Sequence, residues 1–168
     1  FHWQPDGTFA REGTVTRGQW GITQDDAGRI YYNSNSDPLR HDALPTAYLR
    51  RNPAFAAAGA NVALVPGNLR IWPGRVTPGV NRGYKSLDAD GKITSMTAAS
   101  APVVYRGALF PEEFRGDGFV PEPSANLIKR IKLTEKDGVV TGRNAYEGRE
   151  FLTSTDERFR PVSLYNGP

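Results

Sequence analysis

Cysteine is absent from this 168-residue chain. Disulfides, thiolate nucleophiles, zinc–thiolate centres and covalently attached c-type haem are therefore excluded within it. Histidine is almost absent, with His2 and His41 only. That leaves few candidates for imidazole acid–base chemistry. No run of apolar residues approaches the roughly 18 needed to cross a bilayer, so no membrane span is expected. No basic run exceeds Arg50-Arg51, and the net charge is only +3. With no aromatic and basic constellation of a known module, nucleic acid is not an expected partner. The start, Phe1-His2-Trp3, carries no initiator Met and no apolar signal region, which reads as a segment of a longer product.

What is abundant is punctuation. The 18 glycines and 13 prolines predict many turns and no long helices. Between them lie short β-prone runs. Residues 20–24 alternate, Asp25, Asp26 and Gly28 turn the chain, and residues 29–33 return it with Tyr31 and Tyr32. Two such runs around an Asp/Gly turn predict a hairpin. The same layout recurs at residues 102–105, 118–122, 126–133, 150–153 and 161–165, with Lys136-Asp137-Gly138 as a further turn. Leu127, Lys129, Ile131 and Leu133 fall on one face of their strand at period two. Residues 38–95, with Pro66, Pro73 and Pro78, predict a long irregular insertion carrying at most one helical turn in the Ala-rich stretch 54–58. The chain is expected to be one partial domain over residues 1–168, all-β, ending beside an open sheet edge.

Several motifs carry candidate chemistry. Asn33, Asn35 and Asp37 place oxygen donors at alternating positions, a pattern that suits calcium as well as a polar loop leaving a strand. His41, within Arg40-His41-Asp42, is the candidate general base. Trp3, Trp20 and Trp72, with Tyr31, Tyr32 and Tyr105, could stack on a sugar ring. Tyr31 and Tyr105 read more simply as core. Glu112-Glu113 and Glu122 hold carboxylates, in a weak pattern for glycoside hydrolysis.

The run 17–37 (Arg17, Gly18, Trp20, Gly21, the Asp25-Asp26 turn and the Tyr31-Tyr32 strand) resembles the inner hairpin of sugar and sorbosone dehydrogenase propellers. Residues 104–130, with Arg106-Gly107, Phe110-Pro111 and Asp117-Gly118, resemble that family's following blade. Residues 151–162 resemble the approach to its next inner strand. The nearest subset is the bacterial membrane-bound dehydrogenase propellers, often fused to cytochrome c domains. The resemblance implies about two blades of a six-bladed propeller. It implies a periplasmic or secreted oxidoreductase that oxidises a sugar or related alcohol with pyrroloquinoline quinone (PQQ), assisted by calcium. The implied partners are the remaining blades and a cytochrome c domain or protein.

Arg17, Arg158 and Arg160 match the family's cofactor-anchoring arginines. If Arg158 and Arg160 lie on a strand, they share a face and can reach one carboxylate-rich ligand. The family's cofactor lysine aligns with Ser124, so Lys129 or Lys85 would have to replace it. The alternative is a non-catalytic propeller module that binds carbohydrate or protein.

Overall fold

The computed structural model describes residues 2–10, 18–44, 48–49, 51–52, 54, 60–76 and 87–167. The fold is all-β, built from two antiparallel sheets and a small N-terminal hairpin. That hairpin pairs β1 (His2–Trp3) with β2 (Phe9–Ala10) across the expected turn, which the Gly7 N–H to Gln4 carbonyl bond closes.

The first sheet is a four-stranded meander. It runs through β3 (Gln19–Gln24), β4 (Ile30–Ser34), β5 (Asp37–Asp42) and β6 (Asn61–Ala63) in chain order. The β3–β4 hairpin is the one the sequence predicts. Its turn is fixed by Asp25, whose Oδ1 accepts the N–H groups of Ala27 and Arg29, with Gly28 at φ 79°. Asp and Gly occur there because one caps the turn and the other has no Cβ to oppose a positive φ.

The second sheet runs β7 (Val103–Val104), β8 (Gly118–Glu122), β9 (Leu127–Lys136) and β10 (Val139–Asn144). A further strand, β11 (Leu152–Thr153), continues along the β10 side of β9 by pairing with Ile128 and Leu127. Asp137 and Gly138 turn β9 into β10 with φ 53° and 78°. Two consecutive positive φ values give the twist that a two-residue hairpin requires.

The segment 38–95 is irregular over much of its length, but it does not lie outside the sheet as an insertion. It contains most of β5 and all of β6. It also supplies Leu39, Leu64, Val65, Ile71 and Ile93 to the same core as Tyr31, Val104, Val120, Leu127 and Ile131. The sequence pattern hides this because these apolar residues are scattered among prolines and glycines rather than periodic. Residues 55–58 of the Ala-rich stretch lie outside the described residues. The strand expected at 161–165 is reduced to an isolated parallel bridge between Ser163 and Ala101.

The two meanders meet where side chains are missing. A Cβ at Gly21 of β3 would lie 2.4 Å from the Ala101 Cβ and 2.8 Å from its Cα. A Cβ at Gly118 of β8 would lie 2.7 Å from Leu39 Cδ2 on β5. The β3 backbone at Gly21 therefore packs directly on the Cβ and Cα of Ala101, and only glycine allows it. Gly21→Ala is expected to destabilise the fold by about 1–3 kcal/mol through overpacking. Urea denaturation of the variant beside the wild type measures this.

Candidate functional site

Clefts among the described residues include two at the edges of the sheets. The one best furnished for recognition, about 380 Å³ in volume, is centred on Trp72. Its floor is the extended stretch 70–73, held by the Arg70–Ser95 bridge and by the Ile71 N–H donating to the Thr94 carbonyl at 2.9 Å. One wall is the tight turn 88–92. There the Asp88 Oδ1 accepts the N–H groups of Asp90 (3.1 Å) and Lys92 (2.9 Å), and its Oδ2 accepts from the Arg70 guanidinium (3.3 Å). Gly148, Arg149 and Glu150 form the opposite wall, and Arg149 stacks on the Tyr146 ring.

Behind Trp72 lies a buried ion pair. The Lys129 Nζ donates to Glu150 Oε1 at 2.9 Å, to Oε2 at 3.2 Å and to the Arg70 carbonyl at 2.8 Å. The ammonium is thus bonded to one carboxylate and one backbone carbonyl. The same Nζ sits 5.1 Å from the centre of the Trp72 ring. Glu150 also accepts the Trp72 N–H at 3.0 Å. Both side chains are 1% exposed. Burial pushes the Glu150 carboxyl above its ordinary range and the Lys129 amine below its own, and each is held back by the partner's charge. The pair ties β9 to the floor of the cleft and sets the height of the indole. Its sequence signal is Lys129 itself, which stands in phase with Leu127 and Ile131 on a buried strand face. A lysine there must be paired.

The second cleft, about 350 Å³, lies between the ends of the two meanders. Arg29 bridges Asp25 (2.6 Å) on its own hairpin and Glu135 (2.5 Å) on β9. Asp26 is held by Arg106 (2.6 Å) and Arg115 (3.2 Å) of the 106–116 loop. Hydrogen bonds from Arg106 and Arg115 hold the Asp26 carboxyl below its ordinary range. Burial works to raise Asp25, but its bonds from Arg29 and from the Tyr31 hydroxyl (2.8 Å) prevail and leave it low. These charges pair across the two sheets and are largely exposed at the cleft.

The residues that sequence reasoning singled out are scattered. His41 lies on β5, only 3% exposed, stacked on Tyr31 at 5.7 Å. It lines neither cleft, and its Nδ1 has no partner among the described residues. Asn33, Asn35 and Asp37 each make a protein contact, while the Asn33 Oδ1 and Asp37 Oδ1 are buried without a partner among the described residues. The Asn33 amide donates to the Ser100 carbonyl (2.6 Å), the Asn35 Oδ1 accepts from the Trp20 indole (2.8 Å), and Asp37 pairs with Arg40. No group of three or more acidic or histidine side chains able to hold a metal occurs among the described residues.

Arg17 lies outside the described residues, as does Lys85. Arg158 and Arg160 are not on a strand. Arg158 belongs to a surface turn in which the Asp156 carboxylate accepts its N–H (2.9 Å), and the Arg160 guanidinium donates to the Pro123 carbonyl (2.7 Å). Ser124 bonds to the buried Glu122, and Lys129 is 1% exposed and paired with Glu150. Among the described residues, Arg158 and Arg160 make separate local contacts. Glu122 accepts the N–H groups of Thr97 (3.1 Å) and Ala98 (3.0 Å) and so organises a loop. Glu112 and Glu113 lie in a 3₁₀ turn, Glu112–Phe114.

Comparison with known proteins supplies a family. The chain belongs to DUF7133, a domain of unknown function. The family model matches residues 1–168. No curated protein and no solved structure matches the chain. The fold and clefts are therefore the main physical guide to what this DUF7133 chain does.

Two outcomes follow from the buried groups. Lys129→Met is expected to cost about 3–5 kcal/mol, because it strands the Glu150 carboxylate. The double variant Lys129→Met/Glu150→Leu is expected to recover much of that loss in urea denaturation. His41 is buried in the neutral form, and burial followed by the Arg29 charge lowers its pKa, against the opposing pull of Asp42 and Asp25. The unfolded chain, with a value near 6.5, then takes the proton first. The stability that neutral His41 contributes is whole above pH 6.5 and is lost as pH falls below it. Thermal unfolding between pH 7.5 and 5 should show this loss, and His41→Phe should reduce it.

Proposed function

We propose that this DUF7133 chain forms two neighbouring blades of a β-propeller and works as a binding module for carbohydrate, with the Trp72 cleft as the site. Two consecutive four-stranded meanders packed side by side follow the plan of propeller blades. The observation that carries the ligand class is the cleft itself. It joins a half-buried indole to fixed polar groups, within the roughly 300–1,000 Å³ typical of small-molecule sites. The apolar face of a sugar ring packs on an indole, and its hydroxyls bond to carboxylates and guanidinium groups. Arg70, Lys92 and Arg149 line the cleft beside Asp88 and Asp90, with Asp88 paired to Arg70 and Glu150 neutralised by the buried Lys129. This mixed-sign polar lining suits a hydroxyl-rich ligand.

The quinone-dependent oxidoreductase reading, with its periplasmic setting and cytochrome c partner, rests on the resemblance. The placement of Arg158, Arg160 and Lys129 lends it less support than the cleft lends to binding. The two readings separate experimentally. Oligosaccharide titration by calorimetry is expected to show binding that Trp72→Ala weakens by about 2 kcal/mol, roughly thirtyfold, and that Asp90→Ala weakens less. Equal affinity in wild type and Trp72→Ala would sink the cleft as the site. Saturable PQQ binding with dye-linked sugar oxidation by the full-length protein would replace the binding reading with the dehydrogenase one.

A further inference from the structure

Trp20 sits on β3 with φ 67°, in the left-handed region that bulky side chains avoid. Such a backbone is strained and persists only where its surroundings impose it. The side chain is also 69% exposed, so the strain gains no burial. The cause is local. The β3–β4 register shifts between Gln19 and Ile22, a bulge that re-aims the side chain between them. Gly21 then presses on Ala101 with no room for a Cβ, which fixes the backbone beside the bulge.

The ring is held as well as the backbone. The indole Nε1–H donates to the Asn35 Oδ1 at 2.8 Å, and Asn35 is in turn placed by its own N–H donating to the Gln19 Oε1 at 3.2 Å. The β4–β5 turn carrying Asn35 is anchored to the second sheet by the Ala99 N–H donating to the Asn35 carbonyl at 2.8 Å. The result is a flat apolar surface, fixed in solvent and flanked by the amides of Gln19 and Asn35. A neutral polyhydroxyl ring requires what is present, an apolar face and amide partners.

We propose that Trp20 is a stacking platform for a neutral pyranose residue, a saccharide site on residues distinct from those of the Trp72 cleft. It shares with the cleft reading only the ligand class.

The chain has three tryptophans, so it gives three indole N–H resonances, assignable with W3F, W20F and W72F. The probes are cellotetraose, xylotetraose, mannotetraose and chitotetraose, titrated into 15N-tryptophan-labelled chain. At least one is expected to move the Trp20 resonance saturably. W20A should abolish that response, and N35A, which frees the ring, should weaken it several-fold while leaving the Trp72 response unchanged. Movement at Trp72 alone overturns this proposal and leaves the cleft reading standing. Movement at Trp20 alone does the reverse, and movement at neither overturns both. A second readout needs no ligand. Because glycine relieves the strain, W20G is expected to melt at or above the wild-type temperature. A clear fall in Tm would make Trp20 a structural residue and overturn the platform.

Discussion

The contact on which the rest depends is the approach of the two meanders through Gly21 and Gly118. At β3 no side chain separates Gly21 from Ala101, and at β8 Leu39 fills the space that a Cβ on Gly118 would take. That closeness lets Tyr31 and Leu39 from one sheet share a core with Val104, Val120 and Ile131 from the other. It also brings the loop ends together, so that Arg29 and Asp26 can reach Glu135, Arg106 and Arg115. Burial drives the association, with each Leu, Ile or Val contributing about 1.5–3 kcal/mol. The exposed ion pairs set the alignment and add little energy of their own.

The charged groups of β9 inside this core are paired. Arg130 pairs with Asp117 at 2.7 Å and lies 3.7 Å from the centre of the Phe114 ring, amid Tyr105, Phe110, Phe119 and Phe151. Lys129 faces the other side of β9 and holds Glu150 beneath Trp72. Adjacent residues on one strand thus carry buried charges to opposite faces, and each charge is neutralised. Such pairs contribute less to stability than to geometry, since breaking one leaves a charge that water cannot reach. The Trp72 cleft inherits its rigidity from this arrangement. Its floor is bonded to Lys129 and Glu150, and its wall is a turn closed by Asp88.

Much of the hairpin grammar was legible in the sequence. Turns at Asp25–Gly28 and Asp137–Gly138 announce themselves because few residues accept a positive φ or cap a turn. Strand β8 matches its expected span, 118–122, and the second sheet follows the expected order. The segment 38–95 was less legible. Its core residues have no period, because irregular backbone presents side chains at no fixed interval. The candidate site was legible only in part. Trp72 was noticed for its ring, but Glu150 and Asp88 carry no pattern that links them to it, being 78 and 16 residues distant in the chain.

The sequence by itself determined the all-β class, the tight turns, the lack of thiol chemistry and the scarcity of imidazole. These follow from local conformational preference and from residue inventory, neither of which needs a partner. Only the tertiary structure decided which side chains are available to a ligand. It buried His41, placed Arg158 and Arg160 on a surface turn, spent Lys129 on Glu150 and left Trp20 and the Trp72 cleft presented. Availability depends on what packs against a residue from distant parts of the chain, and spacing along the sequence does not encode it.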